Sequence, residues 1–238
     1  MGEAEVGEIS VQNGDAIGTT RDVQRPDDAE PRWPVLLTFL ALGGLYAVLP
    51  PTLLVGNSRW LLLSIISLLL VPTVVLHLKG HHALNQLFGY VLNGVVTAAM
   101  IWSLALLIRS LLAHTLLPQL LLLAASALWV SNILVFASWY WRLDAGGPHA
   151  RDLTPGHNDG AFLFPQMTMD AQAKFAAGEH EWSPNFVDYL FLAFNTSTAF
   201  SPTDVPVLSR WAKILMMLQS LISLVVIALL AARAVNIL

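Results

Sequence analysis

The apolar positions of this chain come in long runs rather than in stripes. Residues 34–55, 60–78, 83–108 and 116–141 contain no Asp, Glu, Lys or Arg. A helix crosses the hydrocarbon of a bilayer with roughly 20 apolar residues, so each run is a candidate span. A fifth run, 212–238, is also long enough. Just before it lies a shorter one, 186–194, which cannot cross as a helix. The two are separated by the polar turn Asn195, Thr196, Ser197, Thr198, Ala199, Phe200, Ser201, Pro202, Thr203 and Asp204. Short helix, polar turn and full span together outline a re-entrant pore loop. The pattern predicts an all-α integral membrane fold with five transmembrane helices and a re-entrant pore-type helix before the last span.

Punctuation supports these limits. Pro50-Pro51 ends or kinks the first run. Pro72 falls inside the second, where neighbouring helices can compensate the lost backbone bond. The turns at 56–59, 79–82 and 109–115 are short, so successive helices are antiparallel neighbours. Trp33 opens the first run, and Trp139-Tyr140-Trp141-Arg142 closes the fourth as an aromatic belt with a basic anchor. No internal repeat is visible, which disfavours a duplicated transporter.

The polar remainder divides the chain. Residues 1–32 form an acidic tail without apolar periodicity, expected to be disordered; it lacks the basic start and apolar core of a signal peptide. Residues 33–143 form a four-helix transmembrane bundle. Residues 144–184 are a long polar loop, whose apolar patch at 161–165 is expected to pack on the bundle and whose 170–177 stretch suits two helical turns. Residues 185–238 hold the re-entrant helix, the filter-like turn and the last helix.

Composition names the solvent. The chain is 55% hydrophobic and 12% charged, with mean hydropathy +0.62, whereas a soluble domain carries about 25% charged residues. Lipid therefore surrounds most of it. A net charge of −4 argues against a nucleic-acid partner. The absence of cysteine removes disulfides, thiolate metal sites and cysteine nucleophiles. Arg21, Arg25, Arg32, Lys79, Arg142, Arg151, Lys174, Arg210 and Lys213 would share one side, against Arg59, Arg109 and Arg233 on the other. The positive-inside rule then puts the N-terminus and the long loop in the cytoplasm of a cell with an inner membrane.

The turn is the richest candidate for chemistry. Its hydroxyls, carbonyls and the Asp204 carboxylate suit replacement of a cation's hydration shell. Gln219, Ser220 and Ser223 share a face of the last helix and either line a pore or join helices. Asn93, Thr97, Ser126 and Asn132 have the same two readings, with joining first. Asp188 is placed to meet the N-terminal amides of its helix. His77 and His81 are spaced for one helix face, but no carboxylate is near in sequence, and no metal is assigned. No nucleophile–base pair, phosphate loop or cofactor motif is present, so neither an enzyme nor a cofactor is expected.

Residues 186–238 resemble the pore helix, filter and inner helix of potassium-channel-type proteins. Thr198 to Asp204 stands where such channels have Thr-Thr-Val-Gly-Tyr-Gly-Asp; the first Thr and the final Asp match. Ser201 and Thr203 replace the glycines, Ala199 lacks a hydroxyl and Pro202 fixes its own angle, all of which argue against a potassium-selective carbonyl cage. A closer resemblance is to uncharacterised bacterial multi-pass membrane proteins of a domain-of-unknown-function family with channel-like ends. It rests on Asp188, Tyr189, Phe191, Phe194, Thr198, Asp204, Arg210, Val235 and Asn236. The resemblance implies passive movement of a monovalent cation through a homo-oligomeric pore, a tetramer by analogy, lined by Thr198, Ser201, Thr203 and Asp204. Ala199, Phe200 and Pro202 complete the turn, with Asp188, Asn195, Arg210, Gln219, Ser223 and Asn236 in support. The rival functions are a non-conducting scaffold that binds a partner through 144–184 and a small-molecule transporter.

Overall fold

The computed structural model describes residues 30–153, 160–178, 182–200 and 205–234. The architecture is helical: α1 Trp33–Val48, α2 Leu61–Leu78, α3 His82–Ala113, α4 Pro118–Leu143, α5 Pro148–Leu153, α6 Pro165–Thr168, α7 Ala171–Ala177, α8 Phe186–Thr198 and α9 Arg210–Ala234. Among the described residues the only β pairing is an isolated bridge between Phe162 and Val207. α3, α4 and α9 are each long and apolar enough to cross a membrane. α1 and the apolar part of α2 are shorter.

The first helix stops early for a local reason. Pro50 and Pro51 cannot continue a helix, and the chain turns through two short 3-10 segments, Pro51–Leu53 and Val55–Asn57. Gly56 and Asn57 both take positive φ there, the conformation that reverses the chain. The turn is not loose. The Tyr46 hydroxyl accepts from the Val55 amide at 2.6 Å, and the Ser103 hydroxyl donates to the Leu53 carbonyl at 2.8 Å. The third helix runs past Ile108 to Ala113 because Arg109-Ser110-Leu111-Leu112 continues its register; His114, at φ 53, is the left-handed residue that stops it. The expected turn at 109–115 therefore shrinks to 114–117.

α4 is the hub. It packs against α1, α3, α8 and α9, while α2 lies outside against α1 and α3. Side-chain pairs fix the directions. Gly89 meets Arg142 and Asn93 meets Ser138, so α3 and α4 are antiparallel. Gln219 meets Tyr140, and Ser223 meets Trp129, so α9 also runs against α4. α8 does the same, since Tyr189 lies at Asp144 and Ser197 near Asn132. α8 and α9 are therefore parallel, and both begin at the C-terminal end of α4.

Two amphipathic seams hold them there. Ala212, Met216, Gln219, Ser223 and Val226 recur at steps of four and three along α9 and are buried. On α8 the buried face is Phe186, Tyr189, Leu192, Ala193, Thr196 and Ser197. The opposite faces, Val187, Phe191 and Phe194 on α8 and Ile214, Met217, Leu221 and Leu224 on α9, are exposed apolar surface. After α8 the chain must return, because Val205–Leu208 lies back against the loop. The Leu163 amide donates to the Pro206 carbonyl and the Leu208 amide to the Ala161 carbonyl. α8 is about 20 Å long. The residues between its end and Arg210 reach that far when extended.

The long loop is folded onto this end of the bundle. Phe162 is buried among Tyr140, Tyr189 and Trp211, and Phe164 packs on Trp182 and Tyr189. The patch at 161–165 thus covers the helix ends, as its apolarity suggests. Asp170 caps α7 by accepting from the Ala173 amide at 2.7 Å, so the two helical turns read at 170–177 form. Of the acidic tail, Glu30 is buried against the bundle and Arg32 pairs with Asp152; residues 1–29 lie outside the described residues.

Candidate functional site

The short helix α8 owes its start to Asn185. Its side chain accepts from the Val187 amide at 2.8 Å, and the Asp188 carboxylate returns to the Asn185 amide at 2.8 Å. This capping box satisfies two orphan amides, the structural task expected of Asp188. At the other end the Thr198 hydroxyl bonds back to the carbonyls of Phe194 (3.0 Å) and Asn195 (3.3 Å), and the Ala199 amide donates to Asn195 at 2.8 Å. Phe200 follows at φ 55, a left-handed conformation that a bulky residue rarely takes, and breaks the helix. Thr198, Ala199 and Phe200 are exposed at this far end. Ser201, Pro202, Thr203 and Asp204, as well as Asn236, lie outside the described residues. Arg210 is exposed at the first position of α9.

Beneath the turn lies a buried polar cluster. Gln219 donates to the Ala193 carbonyl (2.7 Å) and to the Ser197 hydroxyl (2.8 Å), and accepts from the Tyr140 hydroxyl at 2.5 Å. Ser223 donates to the Ser197 carbonyl at 2.6 Å and accepts from the Trp129 indole at 3.1 Å. Asn132 donates to the Gln219 carbonyl at 3.2 Å, and its own side-chain oxygen is buried without a partner. In an apolar surround each such group must find a partner, so the cluster welds α8 and α9 to α4. Gln219 and Ser223 thus point at α4 and α8, away from the exposed face of α9. Ser220 reaches the Thr196 carbonyl at 3.4 Å. Asn93 and Thr97 perform the same joining between α3 and α4, whereas Ser126 is exposed.

A second cluster closes the end where α8 and α9 begin. Arg151 pairs with Glu30 at 2.9 Å, both side chains buried, and donates to the carbonyls of Trp141 (2.8 Å) and Asp144 (3.0 Å). The Trp141 indole donates to the other Glu30 oxygen. Asp144 accepts from the Ala161 amide (2.5 Å) and from the Tyr189 hydroxyl (2.6 Å). Burial, first of all, holds the Tyr189 hydroxyl well above its ordinary value; Arg151 opposes this and Asp144 adds to it. The phenol is accordingly the donor. One knot therefore joins the arm before α1, the end of α4, α5, the loop and α8.

Arg142 departs from its expected role. It was to anchor the aromatic belt at the surface, but it is buried, its guanidinium over the Trp141 ring and against Gly89. A Cβ at Gly89 would come within 1.8 Å of the Arg142 Nη1. The missing side chain on α3 is what lets the arginine in. Among the described residues no three His, Cys, Asp or Glu side chains converge.

Compared with known proteins, the chain matches no family model, no curated protein and no solved structure. Sequence reasoning found Gln219, Ser223 and Asn132 and named Tyr189 only as a position of the resemblance, but gave no site role to Tyr140, Trp129, Glu30, Asp144 and Arg151. The buried seam of α9 was legible in the spacing from Ala212 to Val226. Nothing in the sequence pairs Glu30 with a residue more than a hundred positions away.

Proposed function

We propose that this membrane protein is ion-channel-like, with α8 as a re-entrant pore helix and the 198–204 turn as the lining of an oligomeric pore. The observation that carries this is the parallel course of α8 and α9 from one end of the bundle, with the intervening chain returning to that end. An ordinary helical hairpin would make them antiparallel. In this reading α1, α2, α3, α4 and α9 are the five spans, the pore is built by copies of the chain around an axis, and a monovalent cation moves passively. No catalytic step is assigned.

Two further features support it. The exposed apolar faces of α8 and α9 adjoin the turn and are the surfaces copies would share. Glu30 and Arg32 lie with Arg151 and Asp152 at one end, as an even number of crossings between them requires. With the lysine and arginine count, that end is cytoplasmic. Because Gln219 and Ser223 are turned inward, the turn itself forms the constriction and they hold its support rigid. The burial of Phe162 and Phe164 in the bundle weighs against a scaffold that offers the loop to a partner. The resemblance to channel-like bacterial membrane proteins fits the same outline.

The test is conductance. Purified protein reconstituted in planar bilayers should pass cation current that Asp204→Asn alters. Absence of current under any ionic gradient, from a protein that is monomeric in detergent, overturns the proposal.

A further inference from the structure

A cavity of about 100 Å³ lies between α1, α2, α3 and α4, at the end where Glu30 and Arg151 pair. Phe39, Leu70 and Leu92 give it apolar walls, and Arg32, Asn85 and Arg142 line it with polar groups. That is room for more than one water-sized group.

Two of those groups are unanswered. The Nε of Arg142 and the side-chain oxygen of Asn85 are buried atoms without a hydrogen-bond partner. Among the described residues the ion pairs are Arg32–Asp152 and Arg151–Glu30, so no carboxylate neutralises Arg142. Arg142 is only 6% exposed. Asn85 stands one helical turn before Gly89, on the face of α3 that the guanidinium touches. A buried cation without a counter-charge is costly, and a guanidinium matches the geometry of a phosphate.

We propose that this cavity is a phosphate site, filled by the headgroup of an anionic phospholipid. The phosphate sits on Arg142. A headgroup hydroxyl donates to Asn85, and the apolar walls take the first part of an acyl chain. The place fits the source: the site lies at helix ends beside Trp141, and a basic pocket between membrane helices near that level meets lipid headgroups before it meets solutes. The assignment is independent of whether the turn conducts.

Native mass spectrometry of the full chain, released from micelles doped with phosphatidylglycerol or phosphatidylcholine, tests it. The wild type should retain one phosphatidylglycerol per chain, with about tenfold preference over phosphatidylcholine. Asn85→Asp places a carboxylate beside Arg142, keeps the side-chain shape and should abolish the preference. Arg142→Gln should do the same, and a monodisperse elution profile shows that each variant is folded. A parallel arm adds inorganic phosphate without lipid. If phosphate alone raises the melting temperature of the wild type but not of Asn85→Asp, and neither lipid is preferred, the phosphate site stands and its source is a free anion. If neither probe is retained, or if folded Asn85→Asp binds as the wild type does, the site is refuted.

Discussion

Tyr140 and Gln219, 79 positions apart in sequence, share a 2.5 Å hydrogen bond at the meeting of α4, α8 and α9. Gln219 is satisfied by three partners on two helices, so its removal strands donors and acceptors in an apolar surround. Gln219→Leu should cost about 1–3 kcal/mol in detergent unfolding. Adding Tyr140→Phe should cost less than the sum of the separate changes, because it removes one of the stranded groups. Full additivity would show the contact to be energetically empty.

The Glu30–Arg151 pair should behave as a buried ion pair. Glu30→Met or Arg151→Met alone leaves an uncompensated buried charge, at a cost of about 3–5 kcal/mol. The double Met variant should recover much of that loss. A melting series on the four proteins measures the coupling, and equal loss in single and double variants would count against it.

The parallel arrangement of α8 and α9 can be trapped chemically. The native chain has no cysteine, so an introduced pair has no competitor. Thr196→Cys with Ser220→Cys, whose parent residues are in hydrogen-bond contact, should cross-link within one chain on mild oxidation. Thr196→Cys with Leu208→Cys should not, because Leu208 is held at the opposite end of α8 by Ala161. The reverse result would require antiparallel helices.

Side-specific labelling tests the parity of the crossings. Leu117→Cys replaces an exposed residue just before α4, and Leu153→Cys one at the end of α5, beyond the other end of α4. A membrane-impermeant maleimide applied to sealed vesicles should label one and not the other. Labelling of both from one side would show that α4 does not cross.

The apolar runs made the helices legible. An uninterrupted run both demands lipid or core and leaves only a helix to satisfy its backbone, so α1 to α4 and α9 could be read from composition alone. The end of α1 and the start of α8 were legible too, because Pro50-Pro51 and Asp188 act through neighbours in sequence; the far end of α8 was not, since Asn195 to Thr198, read as part of the turn, continue the helix. What stayed hidden depends on who faces whom. Arg142 read as a surface anchor because such residues usually snorkel, and only the gap left by Gly89 on a different helix reverses that. Gln219 and Ser223 were recognised as one face, but their direction, inward against α4, depends on Tyr140 and Trp129. Glu30 looked like one more acidic residue of a tail.

The pairing of Glu30 with Arg151 also sets an order of events. The two are 121 residues apart, and at cellular rates of synthesis roughly 6–24 s separate their emergence. During that interval the carboxylate has no cation to receive it and stays hydrated at the membrane surface. The arm before α1 can be drawn in only after α4 has been laid down and α5 has followed it. Glu30, at the start of the described chain, is thus secured only once α5 has emerged, and Arg151 acts as the clasp that ties it to the end of α4.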